Sequence, residues 1–178
     1  MKVRQSNWMN GSAPLYAYNV HSQNGEDGLL EEIFNRVGFT NRYGVEMCCG
    51  SGSQCNLTNL VLNEQLDKTI YIDKSTKQMN KGKIWGRKKL KSNPNIIVPK
   101  YINTYIKRAT INKILERNDM VDSIDILSLD MDGIDYWILK ELLKVISPRV
   151  IVLEFQDIMG PNLNITVPFK EPFSGWNK

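Results

Sequence analysis

Apolar residues in this chain form short continuous runs that alternate with stretches of helical spacing. In 25–38, "GEDGLLEEIFNRVG", they recur at helical spacing, and the final glycine is a good helix stop. Further helices are predicted from about position 56, through the basic segment 74–91, and over 105–118 and 134–146. The short apolar runs predict strands at 43–47, 68–73, 95–102, 123–130 and 148–155. Strand and helix therefore alternate five times.

This alternation favours parallel βαβ units. The run at 148–155 is almost continuously apolar, which is typical of a strand buried on both faces. The sequence therefore predicts the α/β class, as a Rossmann-like open parallel sheet with helices on both faces. One domain is predicted for 1–178, with 1–21 as an N-terminal extension. The residues after Phe155 are predicted to be loop, with at most one short strand at 164–169.

Four of the five predicted strands end on an acidic residue. In an open parallel sheet, ligands bind outside the carboxyl ends of the strands. Carboxylates gathered at one rim repel each other and lose hydration, so they are tolerated mainly where a ligand donates to them. A helix cap or a surface position is the alternative for any single acid. The four are Glu46, Asp73, Asp130 and Glu154.

A turn of small residues, "CCGSG", connects the first predicted strand to the next helix. Gly50 and Gly52 lack a Cβ, so the backbone can turn sharply and let a ligand lie against it. Cys48 stands where the first glycine of the dinucleotide fingerprint would be. Asp73 lies 21 residues beyond Gly52, and an acid about 20 residues on is the expected partner of ribose hydroxyls. This spacing indicates an adenosine-containing ligand.

The segment "LSLDMDGIDYW" is open to two interpretations. Asp132 with Gly133 suits a turn, and Asp135 suits a helix cap. Alternatively, Asp130, Asp132 and Glu154 hold a divalent cation, and oxygen ligands would suit Mg²⁺, Mn²⁺ or Ca²⁺.

Together these motifs resemble the class I S-adenosylmethionine-dependent methyltransferases. More narrowly, "SQNGEDGLLEEIF", "GVEMCCGSGSQCNLTNL", "LSLDMDGIDYWILKEL" and "PRVIVLEFQDIMGP" resemble the FkbM-like branch, from about position 22 to 169. The resemblance implies a seven-stranded sheet, S-adenosylmethionine as methyl donor, and an oxygen acceptor on a sugar, small metabolite or natural product. It also implies that Glu46 orders the glycine loop near the methionine amine, and that Asp73 takes the ribose hydroxyls.

Other roles follow from the same resemblance. Asp130 would sit by the methionine end or the acceptor. The residues expected to line the methionine and ribose side are Cys48, Gly50, Ser51 and Gly52. Those expected to cover the entrance are Ser22, Gln23, Glu26 and Asp27. Catechol O-methyltransferase-like enzymes hold Mg²⁺ with acids placed similarly to Asp130 and Glu154.

The family continues beyond its fifth strand with a sixth and an antiparallel seventh, for which 156–178 leave no room. The sequence therefore predicts a sheet that lacks its last strands. The alternatives for the chain are a C-terminally truncated fragment, a minimal cofactor-binding half, or a partner-dependent or inactive form. The alternative to an enzyme is a non-catalytic module or fragment that binds S-adenosylmethionine or another nucleoside. "LDMDG" also resembles the start of D-x-D metal-dependent phosphatases, although only 46 residues follow Asp132.

Asp130 and Glu154 are the candidate catalytic bases for a hydroxyl acceptor. Weaker candidates, each interpreted here as structural or unassigned, are His21, Cys48, Cys49, Tyr136 and Trp137.

The net charge of +4 is uneven, because 74–91 holds eight basic residues and no acid. Such a run can bind phosphates, nucleic acid or an anionic surface. Only Trp85 interleaves with the charges, so the preferred interpretation is a solvated connecting face. No apolar run is long enough to cross a bilayer, and three cysteines do not make a disulfide framework. These features predict a cytoplasmic protein. The family resemblance implies a small-molecule or glycan acceptor.

Overall fold

Helix and strand alternate along the chain in the computed structural model, which describes residues 13–120, 123–154 and 165–171. The strands are β1 (Tyr43–Met47), β2 (Lys68–Asp73), β3 (Lys100–Asn103), β4 (Ile126–Leu129) and β5 (Val150–Leu153). The helices are α1 (Ala13–Tyr16), α2 (Glu26–Val37), α3 (Thr58–Leu62), α4 (Thr76–Ser92), α5 (Ile111–Arg117) and α6 (Asp135–Leu142).

The five strands form one sheet in the order β3-β2-β1-β4-β5, and every neighbouring pair is parallel. The chain runs outward from β1 to β3, then crosses to the other side of β1 and runs outward again through β4 and β5. The switch point of the strand order therefore lies between β1 and β4, where open α/β sheets bind their ligands. The predicted Rossmann-like open parallel sheet is confirmed.

Two hydrophobic layers cover the two faces of the sheet. On one face, Ile111 and Leu115 of α5 and Ile138 of α6 are fully buried. On the other, α2, α3 and α4 bury Phe34 and Met79 among other residues. Helices thus pack on both faces, as the apolar spacing in the sequence predicts.

Two of the predicted strands, β1 and β2, have the predicted bounds, whereas β3 begins five residues later than predicted for 95–102. Proline has no backbone N–H to donate to a neighbouring strand. Pairing with β2 accordingly begins at Lys100, directly after Pro99. The residues before it are apolar but do not belong to the sheet.

Strand β5 differs from the prediction that it is buried on both faces. Its burial alternates, with Ile151 and Leu153 exposed at 40% and 39% while Val150 and Val152 pack against the α2 side. Its only neighbour in the described sheet is β4, so β5 forms an edge. The continuous apolar run therefore did not indicate burial on both faces.

Three helix boundaries also differ from the predictions. α3 begins at Thr58 rather than near position 56, α5 begins at Ile111 rather than 105, and α6 ends at Leu142 rather than 146. In the first two cases, residues assigned to a helix instead form loops at the carboxyl ends of strands. Those loops belong to the site described below.

A buried carboxylate fixes the opposite end of the sheet. Asp125 is fully buried and accepts hydrogen bonds from the backbone N–H groups of Thr40 and Asn41, each at 2.8 Å. Arg149 donates to the same carboxylate at 2.9 Å. Tyr43 N–H is a fourth donor, at 3.3 Å. Desolvation opposes ionisation of this group, but the four donors together lower the pKa of Asp125. The network joins the starts of β1, β4 and β5.

Some sequence-based predictions fall outside the described residues. Most of the predicted 1–21 extension does, and so does Phe155. In the predicted strand at 164–169, residues 165–169 are described and form no strand. Among the helices of the described ranges, none is both long and apolar enough to cross a membrane.

Candidate functional site

Two adjoining cavities open at the carboxyl edge of the sheet, at the switch point of the strand order. We call them the Asp73 cavity, of about 280 Å³, and the Glu46 cavity, of about 300 Å³. They share Cys48 at the end of β1 and Asp130 at the end of β4. The Asp73 cavity is further lined by Asp73, Lys74, Thr104, Tyr105, Ile106, Met131, Asp132 and Ile134. The Glu46 cavity is further lined by Gln23, Asn24, Glu26, Glu46, Met47, Cys49, Gly50, Ser51, Gln54, Cys55, Asn56 and Gln78.

The turn after β1 has left-handed backbone at three positions, Cys48 (φ 61°), Gly50 (φ 56°) and Gly52 (φ 71°). The two glycines serve different purposes. A Cβ built on Gly52 would lie 2.6 Å from the ring of Tyr71, whereas a Cβ on Gly50 would meet nothing within 4 Å. Gly52 is therefore required for packing against the protein itself, and it does not line either cavity. Gly50 is the glycine that leaves open space.

Glu46 orders the start of the next helix. It is buried, and its two carboxylate oxygens accept hydrogen bonds from the N–H groups of Asn56 (2.9 Å) and Leu57 (3.0 Å). These bonds tie the segment just before α3 to β1. The role beside the methionine amine that the family resemblance implies for Glu46 stays a prediction. Burial nevertheless raises the pKa of Glu46 to about 7, against the lowering effect of its hydrogen bonds. Ionised Glu46 would therefore be stabilised by a nearby positive charge.

Asp73 ends β2 directly beside the glycine turn. Its Oδ2 accepts a hydrogen bond from Gly50 N–H at 2.9 Å, and its Oδ1 accepts one from Ser75 N–H at 2.7 Å. A carboxylate has about four lone-pair sites, so each oxygen retains capacity for a ligand hydroxyl. The structure thus brings the glycine turn to Asp73, but through Gly50, 23 residues before it, and not through Gly52, from which the 21-residue spacing was counted.

Three carboxylates cluster beyond the ends of β4 and β5. The carboxylate oxygens of Asp130, Asp132 and Glu154 lie within 4.8 Å of one another. Desolvation and the neighbouring charges of Asp130, Asp135 and Asp132 raise the pKa of Glu154 to about 7. Desolvation and the same acidic surroundings raise the pKa of Asp130. The cluster is the one predicted as a metal site, and its charge favours a cationic ligand.

Asp135 stabilises the loop that carries two of these carboxylates. Its side chain accepts hydrogen bonds from Met131 N–H at 2.7 Å and Gly133 N–H at 2.9 Å. Asp132 lies between these donors with left-handed backbone (φ 58°), next to Gly133. The interpretation of Asp132 and Gly133 as a turn therefore agrees with the structure, and Asp135 closes that turn.

The segment predicted to cover the entrance divides into two parts. Gln23 and Glu26 line the Glu46 cavity, as expected. Ser22 and Asp27 are buried behind them: Asp27 accepts hydrogen bonds from the N–H groups of residues 20–22, and Ser22 Oγ accepts one from Asp27 N–H at 3.0 Å. Asp27 thus shapes the segment while Gln23 and Glu26 are available to a ligand.

Several lining residues were not anticipated from the sequence. Lys74 follows the acid that ends β2, and Thr104, Tyr105 and Ile106 follow β3. Their position directly after strands was the available signal, but 105–106 had been assigned to a helix. Gln78 reaches the Glu46 cavity from the first turn of α4.

The surroundings of the residues named above as weaker catalytic candidates do not favour that role. Neither His21 nor Tyr136 is among the cavity-lining residues, and Trp137 packs against the segment 165–171, donating its Nε1–H to the carbonyl of Val167 at 2.8 Å. Cys49 is buried, with the Cys55 thiol donating to its carbonyl oxygen. Desolvation and nearby carboxylates raise the pKa of the Cys48 thiol to about 12, so it is not a reactive thiolate.

No family model matches the chain. The curated proteins contain no match either. Solved structures with a similar fold include the methyltransferase domain of bacterial CtHen1-CN, at 14% identity and TM-score 0.48, which covers 71% of this chain and 63% of that one. The rRNA methyltransferase aviRa from Streptomyces viridochromogenes has 14% identity and TM-score 0.46, covering 71% and 72%.

A third such structure is coclaurine N-methyltransferase bound to N-methylheliamine and SAH, at 15% identity and TM-score 0.46, which covers 78% of this chain and 38% of that one. The chain thus spans less than two thirds of the length of two of these three proteins. At these identities the likeness concerns the fold. The parallel sheet with its switch point between β1 and β4 is the Rossmann-like fold.

Proposed function

We propose that this chain binds S-adenosylmethionine in the two adjoining cavities and transfers its methyl group to an oxygen acceptor. The observation that carries the proposal is the hydrogen bond between Gly50 N–H and the Asp73 carboxylate. This bond places Gly50 and Asp73 next to each other, on adjoining walls of one cleft. A nucleoside needs both: backbone that leaves room for it, and a carboxylate that accepts hydrogen bonds from its two ribose hydroxyls. S-adenosylmethionine supplies a methyl group activated by the sulfonium charge.

The donor set fits this cofactor in shape and charge. Asp73 would hold the ribose hydroxyls, and Tyr105 and Ile106 would give the base a partly apolar wall. Glu46 and Asn56 line the cavity that would receive the methionine end. Burial, and secondarily the neighbouring carboxylates, raise the pKa values of Glu46, Asp130 and Glu154, and such groups favour a ligand that carries permanent positive charge.

The protein's contribution to the transfer is alignment and proton removal. In-line displacement requires the acceptor oxygen to be held against the methyl group with water excluded. Glu154, whose pKa is raised to about 7, suits a general base near neutral pH. It lines neither cavity itself, but its carboxylate lies within 4.8 Å of that of Asp130, which lines both. We therefore assign base and acceptor positioning to Glu154 and Asp130.

Calorimetry with S-adenosylmethionine tests the cofactor assignment. Loss of a charge-assisted hydrogen-bond partner costs about 1.5–3 kcal/mol, so Asp73→Ala is expected to weaken binding about 10- to 100-fold. Glu116→Ala, an exposed acid on α5 outside both cavities, is the matched control and is expected to bind like the unaltered protein. Absence of heat with the unaltered protein would reject the proposal.

The acceptor and the FkbM-like branch are finer parts of the same proposal. A methyl-transfer assay with sugar and small-metabolite hydroxyl acceptors tests the first part. Binding without transfer to any acceptor would favour the non-catalytic module. The assay with and without Mg²⁺ and a chelator tests whether Asp130, Asp132 and Glu154 hold a metal, which is one of the two interpretations of that segment.

The phosphatase alternative requires Asp130 to attack a phosphoryl group. In the structure Asp130 follows β4, and the glycine bend and Asp73 border the same cleft, which a phosphatase would leave without a role. Turnover of a generic phosphomonoester that is lost in Asp130→Asn would establish it instead.

A further inference from the structure

The outer face of α4 is strongly basic. With the residue that precedes it, the helix carries eight Lys and Arg residues and no acid over 74–91, and seven of these eight are exposed. Within the described ranges, the ion pairs formed at 4.0 Å or less include none of the eight. The charge of this face is therefore not neutralised by the protein around it.

The helix is held so that its charges must face outward. α4 packs on the sheet through Met79, Gly82 and Gly86. A Cβ on Gly82 would lie 2.4 Å from both the Ser51 carbonyl oxygen and the Tyr101 ring, so the helix lies closer than any side chain would permit. The orientation of the basic residues is thus fixed by backbone packing.

Four lysines share one stripe opposite this packing surface. Positions spaced by three, four and seven residues lie on one side of an α-helix. A helix of 17 residues is about 25 Å long at 1.5 Å per residue, so the stripe spans several phosphate groups of a nucleic-acid strand. The stripe consists of Lys77, Lys81, Lys88 and Lys91, with Ile84 between them.

The N-terminal end of α4 borders the cleft, although none of the four stripe lysines lines either cavity. Lys74 lines the Asp73 cavity, and Gln78, in the first turn of α4, lines the Glu46 cavity. A molecule lying along α4 therefore extends directly into the proposed methyl-transfer site. The cleft itself is acidic, which would keep a phosphate backbone on the helix and admit a neutral ribose, whose hydroxyls are oxygen acceptors of the proposed kind.

A membrane surface fits this face less well. Peripheral helices insert a continuous apolar side below their charged residues. On α4, the exposed large apolar residues are Ile84 and Leu90, which are six positions apart and so point in different directions around the helix. The other apolar residue on its flank, Trp85, is half-buried beside Lys89.

We propose that the outer face of α4 binds the phosphate backbone of a nucleic acid whose methyl-accepting nucleotide enters the cleft. The binding part of this inference rests on the charge and packing of α4 alone. The identity of the acceptor rests on the proposed function as well. An RNA-binding experiment can reject the first part, and a methyl-transfer experiment can reject the second.

Fluorescence anisotropy with a labelled 20-nucleotide single-stranded RNA tests the binding part, with single-stranded DNA and a DNA duplex as further arms. The test variant replaces Lys77, Lys81, Lys88 and Lys91 by Gln. The matched control replaces four exposed basic residues on or beside α5 and α6 by Gln, namely Lys113, Arg117, Lys140 and Lys144. Both lose the same charge, and thermal unfolding checks that both remain folded.

We expect the α4 variant to bind RNA at least tenfold more weakly at 50 mM salt, and the control to stay within about twofold. The slope of log affinity against log salt should fall by about 3 in magnitude for four lost phosphate contacts to a single strand. Equal weakening in both variants would overturn the proposal. So would binding to phosphatidylserine vesicles without binding to any nucleic acid.

Calorimetry with S-adenosylmethionine on the same variants separates the two proposals. Unchanged cofactor affinity in the α4 variant, together with lost RNA binding, supports a separate nucleic-acid surface. If the unaltered protein binds RNA through α4 but binds no S-adenosylmethionine, the proposed function fails and the surface stands. Methyl incorporation into RNA that is lost in the α4 variant would support the acceptor part, and none into any RNA that binds would reject it.

Discussion

Gly50 and Asp73 meet at the carboxyl edge of the sheet, where the glycine's N–H donates to the carboxylate over 2.9 Å. The bond joins the turn after β1 to the end of β2, two segments that the chain separates by the whole of α3. It fixes the acid in place before any ligand arrives. A preorganised acceptor of this kind loses little side-chain freedom on binding.

The two glycines of the turn should respond differently to alanine. Left-handed backbone costs a residue with a Cβ about 1–2 kcal/mol, so Gly50→Ala is expected to lower the free energy of unfolding by about that amount. Gly52→Ala adds a collision with the buried Tyr71 ring and should cost about 3 kcal/mol or more. Urea unfolding measures both, and equal losses would contradict the separate purposes assigned to them.

Cys48 should be a strained position. It adopts φ 61° with a side chain, which glycine would adopt without strain. Cys48→Gly is therefore expected to raise the free energy of unfolding by about 0.5–1 kcal/mol, after the entropy cost of glycine in the unfolded chain. Cys48→Ala keeps a Cβ and is the control. If Cys48→Gly and Cys48→Ala are equally stable, relief of backbone strain at Cys48 does not contribute to the free energy of unfolding.

The buried Asp125 should matter for stability and not for cofactor binding. Asp125→Ala leaves the Arg149 guanidinium and several N–H groups without their acceptor, and is expected to cost about 3 kcal/mol of unfolding free energy. Asp67→Ala, which removes an exposed acid 3.4 Å from Arg42, should cost less than about 1 kcal/mol.

The same residue predicts a pH dependence of stability. Because the pKa of Asp125 is lowered in the folded state, its contribution is complete above the unfolded value near 3.9 and is lost as the pH falls through the folded value. The difference between the unaltered protein and Asp125→Asn should therefore shrink on acidification. A difference that grows below pH 4 would contradict this.

Binding of S-adenosylmethionine should strengthen between pH 6 and 8. Glu46 and Glu154 have pKa values raised to about 7, and a cationic ligand binds their ionised forms better. The cofactor should therefore release protons on binding near pH 7, which calorimetry in buffers of different ionisation enthalpy detects. Glu154→Gln should flatten the profile, and neutral adenosine should show little pH dependence. Affinity that falls as the pH rises would refute this electrostatic assignment.

Rising pH should lower the folding stability of the unliganded protein, whereas it should strengthen cofactor binding. An acid whose pKa is raised in the folded state loses stability as the pH rises from its unfolded value near 4.3 through the folded value near 7. The unliganded protein should thus be less stable at pH 8 than at pH 6 through these two groups. Saturating S-adenosylmethionine should reduce that difference.

The sequence was most informative where one physical cause dominated. β1 and β2 have their predicted bounds because each is an apolar run between polar residues. β3 begins later than predicted because 96–99 are apolar for another reason: Ile96 packs in the layer beneath α4, and Pro99 cannot pair. Periodicity also overextended α5, because Ile106 is buried as part of a loop.

The site was predictable to the extent that strand order determines it. Acids at the ends of parallel strands must lie along one edge, and the structure brings Glu46, Asp73 and Asp130 to the same cleft. The contribution of Thr104 and Tyr105 was missed although they directly follow β3, because the helical spacing of apolar residues assigned 105–118 to a helix. Nor was the packing of Gly52, since the sequence does not show that Tyr71 fills the space of its missing Cβ.

The close contact between Gly82 of α4 and the carbonyl of Ser51 has a thermodynamic consequence. Ser51 belongs to the loop that borders the Glu46 cavity, so the helix outside and the loop inside cannot shift independently of each other. Suppose that α4 moves when a nucleic acid binds to its outer face, and that the loop changes shape with it. The affinity for the proposed cofactor then changes by some factor. By linkage, the cofactor must then alter the affinity for the nucleic acid by that same factor.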